Sequence, residues 1–167
     1  LIAIKEAKLA QEVVALELSP LEGSNQNSTL IDKFVFGNIE EMEIPFKENY
    51  FDVIICGDVL EHLIDPWRVI ERLTKHLVVG GTFVVSIPNI RIRKAFTKIY
   101  IKGDFGYEKA GTFDKTHLRF FCKSNMIDLL TSDNLVVKEC HPNFIFNQSD
   151  KLIQLVNKVT FGLFEEF

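Results

Sequence analysis

Two acids and an imidazole stand within five positions of one another in Gly57-Asp58-Val59-Leu60-Glu61-His62. A second histidine comes far along the chain, in Thr116-His117-Leu118-Arg119-Phe120-Phe121. An imidazole gains or loses a proton near neutral pH, so His62 and His117 are candidate general bases, with Glu61 a candidate acid–base group beside them. The plain alternative for each histidine is a structural ring bonded to a loop carbonyl. A metal-free site is the first expectation. A variant gathers Asp58, Glu61, His62 and His117 into a mixed oxygen and nitrogen ligand set of the kind that suits Mg, Mn or Zn. A further acid, Glu17, lies near the end of the apolar run Val13–Leu18. A carboxylate there can accept hydrogen bonds from both hydroxyls of a ribose.

The elements that must position these groups are legible around them. Val53-Ile54-Ile55-Cys56 is a short uncharged run that fits a strand buried on both faces. After the acid-rich loop, Asp65 suits a helix N-cap and Pro66 the first helical position, where its missing N–H costs nothing. Ile70, Leu73 and Leu77 repeat at helical spacing, and Gly80-Gly81 stops the helix. A second buried strand, Thr82–Ile87, ends at Pro88. This is one parallel βαβ unit with Asp58, Glu61 and His62 at the carboxyl end of its first strand, the edge where open α/β sheets bind ligands. Upstream, Leu1–Lys8 reads as a helix and Val13–Leu18 as a strand broken at Ser19-Pro20. Leu21–Asp32 is polar, with any helix there short or late. Phe34-Val35-Phe36 is a brief strand followed by Gly37-Asn38-Ile39-Glu40.

FDVIICGDVLEHLIDPWRVIERL, a Gly-Gly turn, a strand ending in Pro-Asn and the later THLRFF together resemble the class I S-adenosylmethionine-dependent methyltransferases. The resemblance implies an α/β fold of Rossmann-like type: a mostly parallel sheet with helices on both faces. It implies S-adenosylmethionine as cofactor and S-adenosylhomocysteine as product. In that family the acid ending the second strand holds the ribose, which assigns Glu17 and its neighbour Leu18. A Gly-Asp-hydrophobic-Glu turn meets the adenine, which assigns Asn38, Ile39 and Glu40, with Asn38 in place of the acid. The segment after the fourth strand, here Cys56, Gly57 and Asp58, borders the cofactor. Some relatives that act on RNA 3′ ends or in quinone pathways carry Glu-x-x-Glu-His at this point and bind a divalent ion; aspartate replaces the first glutamate here. The family's Gly-rich loop, of the form acid-x-Gly-x-Gly, has no match, since no glycine precedes Gly23. The first and last strands of that fold are therefore expected outside these 167 residues, and the chain is expected to be an incomplete single methyltransferase domain.

Residues 89–116 stand apart from the alternating pattern. Arg91, Arg93, Lys94, Lys98 and Lys102 interleave with Ile92, Phe96, Ile99, Tyr100 and Ile101, as in a basic amphipathic helix, before a loop holding Phe105, Tyr107 and Phe113. Such an insertion over a ligand edge reads as a lid or substrate loop, and the basic face reads first as a solvated helix face. Ser124 is expected to cap a helix carrying Met126, Ile127, Leu129 and Leu130, and Leu135–Cys140 to be a strand. Lys151–Phe167 has helical spacing at its start.

Composition narrows the function classes. A net charge of −4 gives no general pull toward nucleic acid. No apolar run approaches the ~18 residues of a membrane span, so stable membrane insertion is not expected. Three widely spaced cysteines fit free thiols in a reducing cytoplasm. The resulting expectation is methyl transfer to a small-molecule or glycan acceptor, O-methylation being the form guessed. The alternative is a non-catalytic methyltransferase-like interaction scaffold. A nicotinamide-dependent oxidoreductase fits the Pro-Asn strand end and THLRFF less well.

Overall fold

A computed structural model describes residues 2–20 and 30–142. The chain divides into two compact units, Leu1–Lys47 and Glu48–Phe167. Expectations for Leu21–Thr29 and for the Lys151–Phe167 segment lie outside the described residues.

The first unit opens with helix α1 (Ile2–Glu6), shorter than the eight residues expected. Strand β1 (Val14–Glu17) pairs in parallel with β2 (Lys33–Phe36), Glu17 opposite Phe36. Val13, Ala15 and Val35 are buried between them and their neighbours. The Asp32 carboxylate accepts from the Val13 N–H at 2.7 Å and also binds the Lys5 ammonium, which ties the entries of both strands to α1.

The second unit contains the expected βαβ arrangement. Strand β3 (Phe51–Gly57) is followed by a 3₁₀ turn (Leu60–His62), helix α2 (Pro66–His76) and strand β4 (Leu77–Ser86), which pairs in parallel with β3. Asp65 caps α2, accepting from the Arg68 N–H at 3.1 Å, and Val69 and Ile70 are buried on its inner face. The end of α2 corrects the expectation. Gly80-Gly81 does not stop the helix; it lies inside β4, which already begins at Leu77. The register jumps there, Phe51 facing Leu77 but Val53 facing Thr82, so the glycines form a bulge. Gly80 has φ +79°, and a Cβ on Gly81 would lie 2.9 Å from the Val78 carbonyl oxygen and 3.0 Å from that of Asp52.

Other expectations change for identifiable reasons. The described strands pair within each unit, β1 with β2 and β3 with β4, as two-stranded parallel sheets. Strand β3 is not buried on both faces: Val53 is 49% and Ile55 42% exposed, and Cys56 alone among its residues is buried. The basic segment is helix α3 (Arg93–Phe96) running into a π-turn at Thr97–Ile101. Helix α4 (Lys123–Leu129) is capped at Cys122, not Ser124, with the Asn125 side chain accepting from the Cys122 N–H at 3.4 Å. Leu135–Cys140 forms no strand. A single bridge between Ser132 and Leu135 is present, and no neighbouring segment among the described residues offers a ladder.

Candidate functional site

The site is built at the carboxyl end of β3. Asp58 takes φ +51°, turning the chain sharply out of the strand. Its N–H donates to the Ser86 carbonyl at 3.0 Å, and its carboxylate accepts from the Ser86 hydroxyl at 2.9 Å. Asp58 is thus locked to the end of β4. The following 3₁₀ turn drives Leu60 (0% exposed) and Glu61 (1%) inward.

The THLRFF segment closes over that turn. The Glu61 carbonyl accepts from the N–H groups of both Leu118 (2.8 Å) and Arg119 (3.0 Å). The Arg119 guanidinium reaches back to the Ile64 carbonyl from the Nε side at 3.1 Å. These backbone ties bring His117 next to residues 55 positions earlier. The His62 and His117 rings meet edge to face, with centroids 4.7 Å apart.

Each ring is anchored in the same way. His62 Nδ1–H donates to the Thr116 carbonyl and His117 Nδ1–H to the Thr112 carbonyl, both at 3.2 Å. That assignment leaves Nε2 of each ring as the lone-pair nitrogen. The loop carrying these carbonyls is itself held by Asp114, whose carboxylate accepts from the Thr116 N–H (2.8 Å) and hydroxyl (2.7 Å). Glu61 has no such anchorage: neither carboxylate oxygen has a hydrogen-bond partner, and His117 Nε2 lies 4.0 Å from Oε1. Burial pushes the Glu61 carboxyl above its ordinary range. One ligand atom from each of Glu61, His62 and His117 falls within 4.8 Å of the others, and Asp58 stands outside this group. Aromatic rings border it, with Phe120 6.4 Å from His117 and Phe105 between Phe120 (5.4 Å) and the fully buried Phe113 (5.2 Å).

In the first unit, the other predicted residues also come together. The Gly37 N–H donates to the Glu17 carbonyl at 2.9 Å, so Glu17 and Leu18 lie beside Gly37–Glu40 at the carboxyl ends of β1 and β2. The Glu17 side chain is exposed and Leu18 is 72% exposed. Asn38 turns its side-chain oxygen onto the Glu40 N–H at 3.0 Å, which shapes the turn and uses one of its two lone pairs. An exposed carboxylate beside a half-buried Ile39 fits a ribose and a flat heteroaromatic ring, the parts of S-adenosylmethionine these residues would hold. In the second unit, a Cβ at Gly57 would meet nothing within 4 Å, which leaves room at the strand end for a ligand.

The motifs named Glu61, His62 and His117 but not what positions them. Ser86, Thr112, Asp114 and Thr116 were missed. The Asp114-x-Thr116 spacing, a common turn-forming pair, was the available signal for two of these. The thiols also divide: Cys56 is buried, whereas Cys122 is half-buried and Cys140 exposed.

Residues 2–85 match the model of a family described as "Methyltransferase domain". The ubiquinone biosynthesis O-methyltransferase of Rickettsia prowazekii is 27% identical over 141 residues, covering 83% of this chain and 53% of the relative. That of Rickettsia akari is 29% identical over 118 residues, covering 70% and 44%. The chain therefore spans about half the length of the curated relatives it matches. Among solved structures, a Bacillus halodurans protein assigned as a methyltransferase superposes with a TM-score of 0.55 at 20% identity, covering 77% of this chain and 54% of that one. The YcgJ protein of Bacillus subtilis gives 0.51 at 17% identity, covering 72% and 50%. These two show the Rossmann-like α/β fold. With half of its length matched by the family model, the chain belongs to the methyltransferase-domain family.

Proposed function

We propose that this chain forms the acceptor side and part of the cofactor site of an S-adenosylmethionine-dependent methyltransferase that methylates a hydroxyl of a small molecule or glycan. One observation carries the reading. In a chain of this family, the carboxyl end of β3 presents a buried carboxylate and two oriented imidazoles at one point. The names of the relatives, O-methyltransferases of ubiquinone biosynthesis, support a small-molecule oxygen acceptor.

S-adenosylmethionine, when bound, supplies an electrophilic methyl group. The residues of this chain bind, align and remove a proton. Glu17 takes the ribose hydroxyls, Leu18 and Ile39 flank the adenine, and the Asn38–Glu40 turn meets its edge. Cys56, Gly57 and Asp58 border the cofactor, Asp58 being fixed by Ser86. Methyl transfer to a hydroxyl needs that oxygen aligned with the methyl carbon and its proton removed. The Nε2 atom of one ring, His62 or His117, takes that single proton, and Glu61 stabilises the charge the ring gains. Phe105, Tyr107 and Phe113 form the substrate loop. Free thiols support a reducing, cytoplasmic setting, and the charge balance gives no reason to expect a nucleic-acid acceptor.

Calorimetric titration of the full-length protein with S-adenosylhomocysteine tests the reading. Micromolar binding is expected. Absence of binding would replace the enzyme with a methyltransferase-like scaffold.

A further inference from the structure

Lys98 is not the solvated cation that its place in the basic segment suggests. Its side chain is 15% exposed, against 59% for Lys94. It sits in the π-turn, where the Lys102 N–H donates to the Thr97 carbonyl five residues back at 3.1 Å. Widened turns of this kind are frequent at functional sites. From this turn Lys98 reaches into the loop that follows. An ammonium carries three donors, and burying it is expensive unless they are met. Lys98 meets three acceptors: the Gly106 carbonyl, the Glu108 carboxylate at 3.1 Å and the face of the Phe113 ring, 4.4 Å from its centroid. Lys94 holds the other Glu108 oxygen at 2.5 Å. All three acceptors lie in the loop 103–114.

The path from Phe113 to the site is short. Phe113 is fully buried, and its neighbour Thr112 supplies the carbonyl that accepts from His117 Nδ1–H at 3.2 Å. The Glu108 N–H donates to the Phe113 carbonyl at 2.7 Å. Phe113 is therefore held at its ring by Lys98 and at its backbone by a residue that Lys98 grips. His62 is anchored differently. Its partner is the Thr116 carbonyl, and Thr116 is held by the Asp114 carboxylate. The residues just beyond, Leu118 and Arg119, donate to the Glu61 carbonyl. None of these bonds passes through Lys98.

We propose that Lys98 is a positioning residue for His117. By clasping the loop 103–114 it places the Thr112 carbonyl, which fixes the His117 ring as its Nδ1–H tautomer and leaves Nε2 with its lone pair. Lys98 touches neither cofactor nor acceptor in this role. What the free Nε2 does rests on the methyltransferase reading, in which His117 is one of two rings able to take the acceptor's proton. The clasp itself does not rest on it.

The test is nitrogen-15 NMR of the histidine rings in the full-length protein near pH 8, above the ordinary imidazole value of about 6.5. The two neutral tautomers give distinct spectra. In the parent protein His62 and His117 are expected as Nδ1–H. Lys98→Met removes the ammonium at similar length and should convert His117 largely to the Nε2–H form, which free histidine favours in water, while His62 stays Nδ1–H. Glu108→Ala should move His117 the same way and replaces Lys98→Met if that variant does not fold. Lys102→Met, at an exposed position just after the same turn, should change neither ring. The inference is overturned if His117 is Nε2–H in the parent, or if it stays Nδ1–H once the clasp is removed. A simultaneous change of both rings would mark a general loosening, in which Lys98 is merely structural, and would overturn it too. S-adenosylhomocysteine is titrated into the same samples and should bind equally to the parent and to Lys98→Met. A tautomer switch in protein that does not bind S-adenosylhomocysteine would overturn the function and leave the clasp. Binding without the switch would do the opposite.

Discussion

Glu61 and Glu17 divide the proposed chemistry between two carboxylates in contrasting surroundings. Glu17 is exposed at a strand end, where charge is cheap. Glu61 is sealed beneath a turn, where it is not. Glu17→Ala would remove the two charge-assisted hydrogen bonds proposed to a ribose and should weaken S-adenosylhomocysteine binding about a hundredfold or more by calorimetry, at roughly 1.5–3 kcal/mol per bond of this kind. Glu61→Gln should leave that binding intact and lower the methyl-transfer rate by about 10²-fold, the lower range for a general acid–base group. Equal loss of binding in both variants would contradict the division of roles. Cys56 offers a separate residue-level check. Burial pushes its thiol up to about 11. Cys140 should therefore react first with iodoacetamide near pH 8, with Cys56 protected until the protein unfolds. Because the folded pKa is raised, the stability associated with the protonated Cys56 is fully present below the ordinary thiol value of 9.0 and is lost as pH rises toward about 11. The residue types at Glu61, His62 and His117 were legible as chemistry. The burial of Glu61 was not, since it depends on Leu118 and Arg119 donating to its carbonyl across the fold.

At the scale of elements, α2 and β4 show what local sequence settles. The start of α2 follows from Asp65-Pro66, a cap and a pre-organised first turn. Asp65→Ala should cost about 1 kcal/mol, read as a shift in the urea midpoint at unchanged slope. The end of α2 could not be read from Gly80-Gly81, because those glycines serve a bulge whose need arises from pairing with β3. Gly81→Ala would press a Cβ against two carbonyl oxygens and should destabilise by roughly 1–3 kcal/mol. If the variant were as stable as the parent, the bulge would not be tightly packed. The missing strand at Leu135–Cys140 makes the same point: a β-prone run becomes a strand only where a partner strand lies alongside.

At the scale of the whole molecule, the fold class was legible in the sequence. Alternation of strand and helix, with ligand groups at strand ends, identified an α/β fold, and the structural neighbours share it. Which strands pair, β1 with β2 and β3 with β4, is set by partner choice, which composition does not encode. Within each unit, exposed ion pairs set the response to acid. Asp32 is held below its usual range by Lys5 and the Val13 N–H, and Glu108 by Lys94 and Lys98. A lowered folded pKa gives stability that is present above the ordinary carboxylate value and is lost as pH falls through the folded one. The urea midpoint should therefore fall between pH 6 and pH 3, and 0.5 M salt should reduce the difference, since these pairs are exposed to screening.

The most direct measurement is a structure of the full-length protein bound to S-adenosylhomocysteine. The Glu17 carboxylate is expected within hydrogen-bond distance of both ribose hydroxyls, and Glu61, His62 and His117 on the open face of the sulfur, where an acceptor oxygen must approach. A ligand bound away from Glu17, or a sulfur whose open face points away from the two imidazoles, would contradict this arrangement.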